Sequence, residues 1–106
     1  MDNQITKETI GEKLITIISN ALRIDENKIT HNSRIVNDLN AESLDILDIR
    51  FSIEQELGLK IGEHEIVNTI GNGLSSSEFL ERFTVSNLID FLEAKSGTKA
   101  DENENE

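Results

Sequence analysis

The sequence contains no cysteine, and its only aromatic residues are four phenylalanines. Without cysteine the protein has no disulfide, no thiolate metal ligand and no cysteine nucleophile, so any thiol chemistry must be supplied from outside the chain. With so few aromatic side chains, a hydrophobic core has to be built mostly from isoleucine and leucine.

Positive charge is also scarce. Ten Lys and Arg residues stand against 21 Asp and Glu, which gives a formal net charge of −11. This field repels nucleic-acid phosphates and anionic membrane surfaces, and it attracts partner proteins with basic surfaces. No apolar run approaches the roughly 18 residues of a membrane span, and residues 1–6 lack the basic start and apolar run of a signal peptide. We therefore expect a cytoplasmic monomer that has no membrane span and does not bind nucleic acid.

The 106 residues predict one small domain, and the spacing of apolar residues predicts that it is all-α. A first helix starts near Thr6. A second starts at Glu42 or Ser43 and stops at Gly58, and a last one starts after Thr84, a preferred N-cap residue. No alternating stretch is long enough to require a strand. The spacing leaves the topology open between antiparallel neighbours and a crossover after the first helix.

The second predicted helix is apolar around much of its circumference. Leu44, Leu47 and Phe51 are spaced for one face. Three isoleucines widen that apolar surface: Ile46, Ile49 and Ile53.

The pattern weakens between the second and last helices. Gly71, Gly73 and the serine run 75–77 interrupt any long helix, so we expect one or two short helical segments there. Residues 96–106 contain one lysine, four acidic residues and almost nothing to bury, which predicts a disordered acidic tail. The domain is therefore expected to span residues 1–95.

Motifs for metal binding and catalysis are missing. His31 and His64 have no second His or Cys at metal-ligand spacing. The acidic stretch from Asp25 lacks the glycine and the final glutamate of a calcium-binding loop. The sequence also has no nucleophile elbow. We predict no metal site and no catalytic residue.

One segment joins suitable chemistry to a suitable position. Residues 36–45, VNDLNAESLD, run directly into the second predicted helix. A phosphodiester attached to Ser43 would be stabilised by free backbone N–H groups and by the positive end of the helix dipole. The structural alternative is that Ser43 only caps the helix, since serine is among the preferred N-cap residues.

This segment resembles the Asp-Ser-Leu motif of acyl carrier proteins. Asp38 and Leu39 match the Asp-Leu pair of that family, and Ser43 and Leu44 match its attachment Ser-Leu. The resemblance covers residues 6–95 and includes the acidic second helix, whose matching carboxylates are Asp45, Asp48, Glu54 and Glu56.

The resemblance implies a four-helix bundle that works as a carrier and not as an enzyme. Ser43 would receive 4′-phosphopantetheine from coenzyme A through a separate magnesium-dependent phosphopantetheinyl transferase. Asp38, Glu42 and Leu44 would flank this cofactor. Acyl intermediates would then be carried as thioesters in fatty acid, polyketide or related lipid biosynthesis.

The resemblance also implies where partners bind. The transferase and the acyl-transfer or acyl-activating enzymes would place basic patches against carboxylates of the second helix, by electrostatic complementarity. These carboxylates are Asp45, Asp48, Glu54 and Glu56.

Three departures from the family pattern indicate a specialised carrier. Glu42 stands where the family usually has Asp. Arg50 stands where an aliphatic residue is usual, so its side chain either extends outward or brings a cation close to the acyl channel. Residues 65–81 form a third region that is longer than usual by about a dozen residues.

Two other functions fit the same residues. The chain would be an aminoacyl or peptidyl carrier if its cargo were an amino acid. It would be an adaptor if it kept the carrier fold but bound partner proteins without a prosthetic group. Ser43 separates the adaptor from the carriers, because only a carrier needs its hydroxyl.

Overall fold

A computed structural model describes the backbone of residues 6–105 and the side chains of residues 6–96. The described backbone forms five α-helices, a short 3-10 helix and no strand beyond one isolated antiparallel bridge, between Arg34 and Thr84. The prediction of an all-α fold is confirmed. The helices are α1 (Lys7–Leu22), α2 (Ser43–Leu57), α3 (Glu65–Ile70), α4 (Ser76–Arg82) and α5 (Val85–Asn105), and the 3-10 helix is Glu26–Lys28.

The ends of the long helices follow local signals in the sequence. The Thr6 hydroxyl accepts a hydrogen bond from the backbone N–H of Thr9, 3.1 Å away, at the start of α1. Thr84 caps α5 in the same way, with a 3.0 Å bond from the N–H of Asn87. Gly58 follows α2 with φ of 68°, a left-handed conformation that glycine adopts at little cost. All three predicted signals are confirmed.

The lengthened third region contains two short helices, α3 and α4. The predicted interruption lies between them, where Gly73 has φ of 78°. Gly71 lies two residues earlier, where there is no room for a side chain: a Cβ at this position would lie 2.9 Å from the ring of Phe79. The short helical segments predicted for this region are therefore present, and there are two of them.

The end of the chain was predicted to be a disordered acidic tail, 96–106. The backbone of α5 is helical to Asn105, and the side chains from 97 onward lie outside the described residues. The tail therefore stays a prediction.

The core lies where α1 packs against both α2 and α5, and α3 packs against α5. It is built almost entirely from aliphatic side chains, as the composition predicts. Its largest fully buried side chains are Ile10, Leu14, Ile18, Ile35, Ile53, Val85, Leu88 and Leu92.

The structure shows which part of the wide apolar surface of α2 is buried. Ile49, Ile53 and Leu57 are buried. Leu44 and Phe51, which their spacing places on one apolar face, are 77% and 49% exposed. The isoleucines thus form the packing face, because this side of α2 contacts α1.

The long segment between α1 and α2 is anchored to the start of α5. Backbone N–H groups of Ile35 and Val85 donate to the carbonyls of Phe83 and Ser33, at 2.9 and 3.0 Å. Ile35 is also fully buried. These contacts fix the position of residues 33–35, a few residues before α2 begins.

No helix in the described part of the chain is long and apolar enough to cross a membrane.

Candidate functional site

Ser43 is the first residue of α2, and Glu42 occupies the N-cap position. The carboxylate of Asp45 accepts a 2.9 Å hydrogen bond from the backbone N–H of Glu42, and the Glu42 carbonyl accepts the first helical bond, from Ile46. These contacts fix the start of α2 without the serine side chain. The structural alternative, in which Ser43 caps the helix, is therefore wrong.

The Ser43 side chain is exposed and makes no hydrogen bond to any described residue. Its position in the first helical turn places it beside N–H groups that have no partner within the helix. A phosphodiester on this oxygen would be compatible with the helix dipole. The site therefore fits a covalently attached phosphate group.

The attachment loop, residues 34–42, forms a tight turn before Ser43. Asp38 binds the Arg34 guanidinium through two hydrogen bonds, of 2.9 Å from Nε and 2.7 Å from Nη2, and it also accepts the Arg34 backbone N–H at 2.8 Å. These bonds lower the pKa of Asp38 to about 2. Asp38 thus holds the shape of the loop, and its predicted role toward the cofactor stays a prediction.

The four carboxylates predicted to meet partners fall into two pairs. Asp45 and Glu54 are half-buried and accept backbone N–H groups, of Glu42 and Ile61 respectively. The other pair is exposed and lines a polar groove between α1 and α2; it consists of Asp48 and Glu56. Within the groove Glu56 lies 3.8 Å from Nζ of Lys13 on α1, and both side chains remain about half exposed.

An apolar surface lies beside Ser43 on the exposed side of α2. We call Leu44, Leu47 and Phe51 the α2 stripe; all three are exposed, as is Val67 on α3. Monomeric proteins rarely leave large apolar side chains grouped on the surface, and such patches mark interaction sites. Sequence reasoning placed the stripe in the predicted apolar face and missed this use of it.

Arg50 turns toward the segment that follows α2. Its Nη1 donates a 3.0 Å hydrogen bond to the carbonyl of Ile61, and its guanidinium carbon lies 4.9 Å from the ring centroid of Phe51. The two placements inferred from the sequence, outward or near an acyl channel, did not include this backbone contact. No sequence signal could have identified it, because it depends on the path of the 58–64 segment.

A family model described as "Phosphopantetheine attachment site" matches residues 12–92. The acyl carrier protein AcpXL of Rhizobium etli is 35% identical over 89 residues, which cover 84% of this chain and 95% of that protein. The acyl carrier protein of Thermotoga maritima is 33% identical over 75 residues, covering 69% of this chain and 93% of the relative. The family match includes the attachment loop, Ser43 and all of α2.

Proposed function

Because the chain belongs to the phosphopantetheine-attachment family of acyl carrier proteins, we propose that it carries acyl intermediates as thioesters on an arm bound to Ser43. The chain is a carrier and not an enzyme, and its prosthetic group is 4′-phosphopantetheine. This group supplies the thiol that a chain without cysteine lacks. We place the carrier in the biosynthesis of fatty acids, polyketides or related lipids.

One observation supports Ser43 as the attachment residue: its hydroxyl is exposed, unbonded among the described residues and located at the start of α2. In the attachment reaction the Ser43 oxygen attacks the phosphorus of coenzyme A that bears pantetheine. A phosphodiester bond to Ser43 forms, the bond to the departing adenosine 3′,5′-bisphosphate breaks, and the hydroxyl proton passes to a base of the transferase or to solvent. The chain itself contributes the nucleophile and its placement.

The α2 stripe and the neighbouring carboxylates support a docking role for α2. Leu44 and Asp48 are four residues apart and so are neighbours on the helix surface. A basic partner with an apolar centre would bury the α2 stripe, which would supply affinity. Its basic groups would pair with Asp48 and Glu56, which would speed the encounter. The acidic charge of the whole chain, −11, adds to this attraction.

Intact-mass measurement tests the attachment. The purified protein is incubated with coenzyme A, Mg²⁺ and a broad-specificity phosphopantetheinyl transferase. We expect one phosphopantetheine increment in the wild type and none in Ser43→Ala. Ser76→Ala is the matched control, since Ser76 is likewise the first residue of a helix, α4; it should keep the increment.

The outcomes separate carrier from adaptor. Loss of the increment in Ser43→Ala alone supports the carrier. Absence of any increment on folded wild-type protein would favour the adaptor, as would full cellular function of Ser43→Ala. Because Glu42 and not Ser43 is the N-cap, Ser43→Ala should remain folded, which circular dichroism checks.

A further inference from the structure

The last turn of α4 reaches across to the attachment loop through Glu81. One oxygen of its carboxylate lies 2.7 Å from Nη1 of Arg34, and the other accepts a 3.1 Å hydrogen bond from Nδ2 of Asn37. These residues are more than 40 positions apart in the sequence. The lengthened third region is thus tied directly to the loop that precedes Ser43.

Arg34 passes this restraint along the loop. The guanidinium that binds Glu81 also binds Asp38 through its Nε and Nη2. Asp38 binds two nitrogens of the planar guanidinium, and Glu81 binds the third; a charge-assisted contact with two parallel bonds fixes direction as well as distance. Glu81 therefore restrains the plane of Arg34, and Arg34 restrains Asp38.

The restraint extends to the residues next to Ser43. The N–H of Ala41 donates to the carbonyl of Ile35 at 3.1 Å, and Asn40 adopts φ of 64°. Ala41 is buried, so the chain has little freedom between the turn and the start of α2. Only four residues separate Asp38 from Ser43, so a change in the turn would shift Ser43 as well.

The same contacts contribute little to global stability. The side chains of Arg34, Asp38 and Glu81 are 36%, 38% and 58% exposed, and ion pairs at this exposure are screened by solvent. The hydrogen bonds among Arg34, Asp38 and Glu81 are therefore suited to fixing the local geometry of the loop more than to stabilising the whole fold.

We propose that Glu81 is a positioning residue for phosphopantetheine attachment, acting on Ser43 through Arg34 and Asn37. The extra helix α4 then belongs to the attachment site, although it supplies no group to the reaction. This inference rests on the proposed attachment at Ser43.

Steady-state kinetics of the transferase, with the apo-protein as the varied substrate, test the proposal. We expect Glu81→Ala to lower kcat/KM by about tenfold, below the hundredfold that an ångström of misplacement costs. The loss should appear in kcat, because the α2 stripe and Asp48 remain available for docking. A carboxylate that contacted the transferase directly would instead raise KM.

Two further variants sharpen the test. Adding Glu81→Ala to the double variant Arg34→Ala/Asn37→Ala should slow the reaction no further, because residues that act through one another are not additive. Glu8→Ala removes the same charge from an exposed position on α1 and should keep wild-type kinetics. Glu81→Gln, which retains an acceptor oxygen, should fall between wild type and Glu81→Ala, and its circular dichroism and melting temperature should match the wild type.

Failure of this proposal is distinct from failure of the proposed function. If the wild type is modified at Ser43 while Glu81→Ala shows unchanged kcat, or if its effect adds to that of Arg34→Ala/Asn37→Ala, the positioning role is overturned and the carrier function stands. If the wild type takes no increment, or if Ser43→Ala takes one, the attachment itself is overturned.

Discussion

Arg50 and Ile61 are joined by a side-chain-to-backbone hydrogen bond of 3.0 Å, from Nη1 to the carbonyl oxygen. Glu54, one turn later in α2, accepts the N–H of the same residue at 2.8 Å. Both polar backbone groups of Ile61 are therefore bound by α2, while the Ile61 side chain is buried in the core. Arg50 and Glu54 thus hold the segment that leads to α3 against α2.

Replacing Arg50 should loosen this segment. Arg50→Met keeps an unbranched side chain but removes the donor, so the Ile61 carbonyl loses its partner. We expect the free energy of unfolding, measured by urea denaturation, to fall by about 1 to 3 kcal/mol. Gln55→Met is the control on the exposed surface of the same helix and should change stability little. Equal stability of Arg50→Met and wild type would show that the contact does not hold the segment.

Alanine variants on the two sides of α2 should differ in stability, because only one side is buried. Ile53→Ala removes a fully buried side chain and should cost about 2 to 5 kcal/mol. Leu44→Ala, on the α2 stripe, should stay within about 0.5 kcal/mol of wild type. Urea denaturation measures both, and a larger loss for Leu44→Ala than for Ile53→Ala would contradict the orientation of α2.

The sequence could predict that α2 exists but not which side faces the core. Its helical signals are local: the glycine at 58 and the capping carboxylate at 45 act within a few residues. Leu44 and Phe51 on one side of the helix, in contrast, are similar in hydrophobicity to Ile49 on another side. Only the position of α1 decides which of them is buried, and periodicity within one helix holds no information on its neighbour.

The site shows the same division. Ser43 could be proposed because its neighbours in the sequence resemble a motif, and the family match covers that segment. The contact of Glu81 with Arg34 could not be found, because it joins two surface residues 47 positions apart. Charged pairs of this kind leave no mark on local composition.

Gly71 should not tolerate a side chain. A Cβ there would lie 2.7 Å from the carbonyl oxygen of Val67 and 2.9 Å from the ring of Phe79, so α3 and α4 would have to separate. We expect Gly71→Ala to lower the free energy of unfolding by about 1 to 3 kcal/mol, as overpacking does.

Gly62→Ala is the matched control for this prediction. Its Cβ would meet its nearest atoms at 3.7 Å, an ordinary contact. Stability should therefore be unchanged or rise by about 0.4 to 1 kcal/mol, since alanine restricts the unfolded chain. Thermal and urea unfolding compare the two variants, and equal effects of both substitutions would contradict the tight packing at Gly71.

Asp38 should make the protein sensitive to acid in a defined pH range. Hydrogen bonds from Arg34 lower its pKa from an ordinary value of 3.8 to about 2. A carboxyl group with a depressed pKa in the folded state stabilises the fold above its unfolded pKa, and this contribution is lost as the pH falls through the folded value. The contribution of Asp38 is therefore complete above pH 4 and disappears as the pH approaches 2.

Asp38→Asn isolates this contribution. The pKa of Glu65 is also lowered, mainly by its hydrogen bond with Lys95, so wild-type acid sensitivity has more than one source and the difference between proteins is the quantity to measure. We expect Asp38→Asn to be less stable than wild type at pH 7 and to lose less stability between pH 4 and pH 2, so that the two curves converge. Low ionic strength keeps the exposed pair from being screened. Asp25→Asn is the control, because it removes a carboxylate that has no ion pair among the described residues. Its stability should change with pH as that of the wild type does. If the stability curves of Asp38→Asn and wild type stay parallel between pH 4 and pH 2, Arg34 does not hold Asp38 in solution.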